Sequence, residues 1–414
     1  MKKMELNRNY TFGIILILTL MWTPLLIEPS VISLEEPTTA DDPKLVIYTY
    51  DSLLADPGYD FVEGFANHSG INVNEIQLVK HSDANTVLSK ATLEKDAPVA
   101  DVLIGLDNIL IHKALEQDLL EPYESPALAN ISADLIANLD PTYHLLPYDY
   151  GIIALWYDTG RVGETIDEIL ENATLETILE EDLANNLIVQ NPTMSSPGLG
   201  FLLWTIAVYG DPAIDFDGLL DQDWRDWWSA AKDDLRITGS WGDAWVEWAD
   251  EDQNRTIMVS YGSSPAYSAV LYDYHDEKAV VSTENDTQNA WLQIEGLGLV
   301  KNARNAELAK EFIDWFLSTD LQDHISTNNW MYPANIHASI DPVFESVAIN
   351  PADVTILNDL FTSETIGENL NRWLAEWEEI IAGPIIIPGY PLLWLLLSTL
   401  AAAAVLHFRK RKQI

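Results

Sequence analysis

The chain has 414 residues, enough for two domains with substantial cores. Acidic residues outnumber basic ones 65 to 22, and the net charge of -43 argues against nucleic-acid binding; it attracts cationic small molecules and equally suits a surface adapted to salt or acid. There is no cysteine, which excludes disulfides, thiolate metal sites and cysteine nucleophiles together.

Residues 1–27 carry Lys2, Lys3 and Arg8 ahead of an apolar run from Thr11 to Trp22, the layout of a signal peptide or of a signal that persists as an anchor. Residues 28–43, rich in Pro, Glu, Asp and Thr, read as a linker. Strands are then expected over Lys44–Tyr50, Asn72–Val79 and Val99–Leu106, alternating with helices over Tyr59–Ser69, Ser82–Lys95 and Ile109–Gln117. That alternation predicts a parallel sheet covered by helices, with ligands held at the carboxyl ends of the strands. Tyr50-Asp51-Ser52 and Leu106-Asp107-Asn108 fall at that edge.

A second unit is expected to begin near Tyr148-Asp149-Tyr150-Gly151, with strands over Ile152–Tyr157, Leu187–Gln190 and Thr256–Ser260 and a helix over Gly198–Tyr209. The Trp-rich stretch 224–248 reads as two amphipathic helices broken at Gly239-Ser240. Ala290–Val300 reads as a strand returning to the first unit, with a helix over Ala306–Leu317 packed on it. The result is an α/β chain of two lobes joined by at least two crossings, a hinged clamp.

The apolar run Leu392–Phe408, lengthened outward by Ile385–Ile387 and followed by Arg409-Lys410-Arg411-Lys412, predicts a transmembrane anchor over 385–408 and a cytoplasmic basic tail over 409–414. Five Asn-x-Ser/Thr triplets, at Asn67, Asn130, Asn172, Asn254 and Asn285, agree with exposure of the intervening chain outside the cell membrane.

Three stretches place aromatics beside Ser, Asp or Pro: Tyr48-Thr49-Tyr50-Asp51-Ser52, Ser260 to Tyr267, and Asn329-Trp330-Met331-Tyr332-Pro333. Aromatics on loops at strand ends suit a cleft where a flat or cationic ligand stacks. Together with Ala100-Asp101 to Asn108, Pro147 to Gly151, Ser196-Pro197-Gly198-Leu199-Gly200 and Leu203-Trp204, they occur over roughly residues 44–380 in the order found in one family. On these motifs the chain resembles the thiamine-binding subunits of bacterial and archaeal ABC importers, which are type II periplasmic binding proteins.

The resemblance implies two α/β lobes around a hinge and an interlobe cleft. Lobe 1 is expected over 44–146 and 289–336, lobe 2 over 149–286, and C-terminal helices over 337–383 across both. It implies capture of thiamine or its mono- or diphosphate, with delivery to a permease and its ATPase by a monomeric receptor on the cell surface. No cofactor and no catalysis are expected, since the thiamine-cleaving transferases of this fold use the cysteine this chain lacks.

Carried over by motif, Tyr50, Trp241, Tyr261 and Trp330 are the expected aromatic walls. Asp83 is expected near the ligand's exocyclic amine, with the cap of a following helix as its structural alternative. Ser195 and Ser196, before Pro197, are expected at an anion site on a helix N-terminus, or as an ordinary cap. Tyr267 adds a hydroxyl, whereas Asp51 and Asp107 either face the ligand or cap loops. An acidic-Gly pair of the relatives reads Asp83-Ala84 here, and Pro57 stands in place of a tryptophan, so ligand affinity is open. Ferric-ion receptors of the same fold use adjacent tyrosines, whereas those here alternate (Tyr48/Tyr50, Tyr148/Tyr150); polyamines, which also suit aromatics and carboxylates, are the other alternative. A terminal anchor in place of a lipid-modified cysteine points to an archaeal surface.

Overall fold

The structure, a computed structural model, describes residues 43–55, 57–250 and 254–383. The expected signal or anchor over 1–27, nearly all of the linker, the membrane segment over 385–408 and the basic tail lie outside these residues. Among the described residues no helix is long and apolar enough to cross a membrane.

In β1 (Leu45–Tyr50) every residue but the last is buried, as a strand covered on both faces requires. Helix α1 (Phe61–Ser69) follows, capped by Asp60, whose carboxylate accepts from the Glu63 N–H. The strand expected from residue 72 begins only at β2 (Ile76–His81), because Asn72 and Glu75 close a capping box around a 3-10 turn over Val73–Glu75. Next come α2 (Ala84–Glu94), β3 (Val102–Asp107) and α3 (Leu110–Glu116), each a little shorter than expected. Both β2 and β3 pair in parallel with β1.

The chain continues through β4 (Leu146–Asp158), β5 (Leu187–Gln190), α4 (Ser196–Tyr209), α5 (Trp224–Ala231), β6 (Arg236–Thr238), α6 (Trp241–Trp248), β7 (Ile257–Tyr261), α7 (Pro265–Tyr272) and β8 (Glu277–Val280). The last major elements are β9 (Leu292–Val300), α8 (Ala306–Phe316) and the 20-residue α9 (Ser363–Ala382). The main sheet runs β2-β1-β3-β9-β4-β7-β5-β6; Leu120–Glu121 is added beside β9, and Tyr332–Pro333 and β8 beside β4. A small second sheet joins Ser282–Glu284, Thr287–Ala290 and Thr355–Ile356.

The two halves of the main sheet meet in β4, and here the structure corrects the sequence reading. No break separates Tyr148-Asp149-Tyr150-Gly151 from the strand after it; β4 is one strand of 13 residues. Its first part pairs with β9 and its second with β7 and β8, all antiparallel. Pro147 has no N–H to donate, and β9 accommodates it by a register shift between Glu295 and Gly296. A second correction is β6, a three-residue strand beside β5 that separates the two Trp-rich helices.

Between α4, α5 and α9 lies an aromatic core in which Trp228 packs edge-to-face on Phe201, Trp227 and Trp377. Ion pairs bind α9 here: Arg225 to Glu376 at 2.6 Å, and both Arg225 and Arg372 to the fully buried Asp211. Helix α4 is buried along its whole length, and at Gly198 it lies so close to β5 that a Cβ would stand 2.3 Å from the Gln190 carbonyl oxygen. That contact sets the helix N-terminus at the carboxyl end of β5.

Candidate functional site

A cavity of about 730 Å³ opens between the two halves of the sheet. Its wall includes the end of β1, the start of α2 and Glu295 of β9 from one side, and the starts of α4 and α6 with the end of β7 from the other. Seven aromatic residues (Tyr50, Trp156, Trp241, Trp245, Tyr261, Tyr267 and Trp330) and four acidic ones (Asp51, Asp83, Asp243 and Glu295) contribute to it. Among the described residues no lysine, arginine or histidine does. A flat cation would therefore meet π faces and carboxylates with no competing positive charge.

All eight candidates, Tyr50, Asp83, Ser195, Ser196, Trp241, Tyr261, Tyr267 and Trp330, line this one cavity. Tyr50 ends β1, and its ring lies over Gly105, which has φ +98; a Cβ there would be 2.3 Å from the ring. Its hydroxyl donates to Glu295 Oε2 at 2.8 Å and accepts from the Asn329 side-chain amide at 3.1 Å. Tyr261 ends β7 and its hydroxyl accepts from Gln293 Nε2 at 3.0 Å. Burial, and then the nearby Glu295 carboxyl, push both tyrosine hydroxyls well above their usual range, so they remain protonated donors.

Trp241 is the first residue of α6, and its indole N–H donates to Ser260 Oγ at 2.8 Å. Trp330 sits in left-handed backbone at φ +59, and its carbonyl accepts from Ser263 Oγ at 2.6 Å. The Trp330 ring meets Tyr267 edge-on, 5.2 Å between centroids.

Asp83 is both a helix cap and part of the wall. Its Oδ1 accepts from the Thr86 N–H at 2.8 Å, and its Oδ2 from the hydroxyls of Ser82 and Thr86. Ser195 stands at the N-terminus of α4 but makes no side-chain bond to the helix. Asp51 is an exposed part of the wall, whereas Asp107 is buried and caps α3, accepting from the N–H groups of Ile109 and Leu110.

Two aromatics of the expected loop clusters are core residues. Tyr48 lies inside β1, 3% exposed, with its hydroxyl donating to Glu94 of α2, and Tyr332 packs with Ala266 and Phe344. Both sit under covering helices, where ring area is hidden from the cavity.

The structure adds Trp156, Trp245, Met194, Asp243, Met331, Asn329 and Glu295 to the wall. Of these, Glu295 carried a readable signal: it and Gln293 are the polar residues of the otherwise apolar β9. Its Oε2 accepts from Tyr148 at 2.5 Å as well as from Tyr50, and Oε1 from Gln293 at 2.8 Å. Among the described residues no group of three or more His, Asp and Glu side chains is arranged to hold a metal ion.

Comparison with known proteins agrees with this architecture. The thiamine-binding periplasmic protein of Escherichia coli is 30% identical over 344 residues, covering 82% of this chain and 94% of that protein. A solved periplasmic thiamin binding protein superposes with a TM-score of 0.67 at 27% identity, over 81% of this chain and 96% of that one. The ferric binding protein of Campylobacter jejuni, at 17% identity and TM-score 0.63 over 81% of this chain and 99% of its own, shares the fold. Residues 97–352, more than half of the sequence, match the family described as bacterial extracellular solute-binding protein, and the chain belongs to that family of α/β periplasmic-binding-protein receptors.

Proposed function

We propose that this receptor captures thiamine, or its mono- or diphosphate, in the cavity and hands it to an ABC permease with its ATPase. The observation that carries the reading is the wall itself, seven aromatics and four carboxylates without a basic side chain. Thiamine joins a permanently charged thiazolium to a flat aminopyrimidine, so its charge cannot be neutralised by losing a proton and has to be met by π faces or anions. Each cation–π contact contributes about 0.5–2 kcal/mol. Tyr50, Trp241, Tyr261 and Trp330 supply those faces in this reading, Asp83 accepts from the amine, and Tyr267 lends its hydroxyl. The names of the relatives support the same ligand.

Closure of the two sheet halves about β4 would bury the ligand and present both to the permease. The segment 385–408 would hold the receptor at the outer face of the cell membrane, with the basic tail 409–414 on the cytoplasmic side.

Titration of the full chain with thiamine, followed by tryptophan fluorescence, tests the reading, with spermidine and ferric citrate as controls. Saturable submicromolar quenching by thiamine alone is expected. A response to spermidine with none to thiamine would move the ligand to polyamines.

A phosphate on the ligand would sit at the start of α4, whose first turn leaves N–H groups without acceptors in the helix. The Ser195→Ala/Ser196→Ala double variant is expected to lose about tenfold in affinity for thiamine monophosphate, the range of hydrogen bonds to a charged group. Its affinity for thiamine should change less than about threefold, within the range of one neutral hydrogen bond. Equal losses for the two ligands would remove the phosphate subsite.

A further inference from the structure

Behind the aromatic wall, three carboxyl residues stand in one row across three neighbouring strands. Glu295 of β9 is paired in register with Asp107 of β3 on one side and with Asp149 of β4 on the other. Directly opposed residues share a face of the sheet, and like charges placed so repel. All three are buried, Asp107 and Asp149 completely and Glu295 with 7% exposure, and Glu295 alone of the three reaches the cavity. No ion pair among the described residues includes any of them.

The side chains that hydrogen-bond to Glu295 and Asp149 are neutral donors. Tyr50 on β1, Tyr148 on β4 and Gln293 on β9 donate to Glu295; Tyr261 on β7 faces it through Gln293; Asn329 donates to Asp149 Oδ2 at 2.6 Å. Lys113 on α3 feels Asp107 at a distance without pairing with it. Asp107 is held by the N–H groups of Ile109 and Leu110 and by the Ser196 side chain, whereas one oxygen of Asp149 and the side-chain oxygen of Gln293 have no hydrogen-bond partner. Buried carboxylates without an ion-pair partner are costly, so burial favours the protonated form of this row in the empty receptor.

We infer that Glu295 is the counter-charge of the bound cation, and that entry of the ligand drives a proton from this row of carboxyls to solvent. The inference rests on the cationic-ligand reading of the cavity and adds to it a residue and a proton. Three donors converge on the Glu295 carboxyl, so it is the member of the row best prepared to become an anion. The carboxylic acid becomes carboxylate and the proton passes to the buffer, so the buried site gains one negative charge for the positive one it receives.

The direction of the proton equilibrium agrees. Burial pushes the Glu295 carboxyl up to about 7, helped by Asp107 and opposed by the tyrosine hydroxyls. Burial, and then Glu295, raise Asp149 well above the carboxylate range. A cation beside Glu295 favours its ionised form and lowers its pKa in the complex. Protons are therefore released on binding below and around pH 7 but not well above it, and affinity falls as the pH is lowered.

The test is calorimetric titration of the full chain with thiamine at pH 6, 7 and 8, each in two buffers of different ionisation enthalpy. Proton release is expected to be largest at pH 6 and smallest at pH 8, with affinity severalfold weaker at pH 6 than at pH 8. Glu295→Gln, which keeps the shape and can still accept from both tyrosines, is expected to abolish the release and flatten the pH dependence. Thiamine binding with no proton released at any pH, or release that survives in Glu295→Gln, overturns the inference while leaving the receptor reading in place. The wild-type titration stands even if the variant does not fold. Absence of thiamine binding would overturn both.

Discussion

Replacing Trp330 with alanine is expected to weaken thiamine binding by at least about tenfold, roughly 1.4 kcal/mol, and to leave the fold intact. The position is unusual in a way that isolates the ring. Its backbone is left-handed at φ +59, but alanine carries the same Cβ as tryptophan, so the substitution changes no backbone strain. The Ser263 hydroxyl bonds to the Trp330 carbonyl and not to its side chain, so that tie also survives. The losses include a flat face in the cavity, its edge-on contact with Tyr267 and its packing on the Ala266–Tyr332–Phe344 cluster. A cation–π contact contributes about 0.5–2 kcal/mol, and the displaced apolar area adds to it. Thiamine titrations of both proteins, with thermal unfolding as the fold check, give the answer. An unchanged affinity would take Trp330 out of the ligand's wall and with it the carried-over pocket.

Much of the frame was legible because it is local. The apolar runs Leu45–Tyr50, Leu187–Gln190 and Leu292–Val300 are strands because little else can bury them, and Asp60 and Asp83 mark helix starts by what their side chains accept. The continuity of β4 was not legible. Tyr148-Asp149-Tyr150-Gly151 reads as the start of a second unit, and only the partner strand, with its shift at Glu295/Gly296, shows how the ladder runs through it. The resemblance already set Tyr50 and Trp330 apart as wall residues, whereas the burial of Tyr48 and Tyr332 in the core depends on which helices cover them. Glu295 shows the limit most directly. An acidic residue in a buried strand announces that something must hold its charge, yet its two acidic neighbours come from strands about 190 and 150 residues away in sequence and appear only with the register.

Trp228→Ala should produce the opposite separation, a large loss of stability with ligand affinity per folded molecule unchanged. Trp228 is completely buried and takes no part in the cavity wall. Three rings pack edge-to-face on it, Phe201 at 5.7 Å, Trp227 at 5.2 Å and Trp377 at 5.7 Å, so it joins α4, α5 and α9 at one point. Its indole N–H also donates to Thr205 Oγ1 at 2.9 Å, a hydroxyl itself buried and committed to the Leu202 carbonyl. Truncation leaves a hole bounded by large aromatic rings, which are held by their own helices and cannot collapse into it. The expected cost is about 3–5 kcal/mol, read from denaturant unfolding. Trp228→Phe separates the contributions, since it keeps most of the ring contacts and gives up the N–H donor, a loss of about 1 kcal/mol. If Trp228→Ala instead weakened thiamine binding as strongly as Trp330→Ala while unfolding normally, the α4–α5–α9 core would have to be part of the binding machinery, and the division between wall and frame drawn from the cavity would fail.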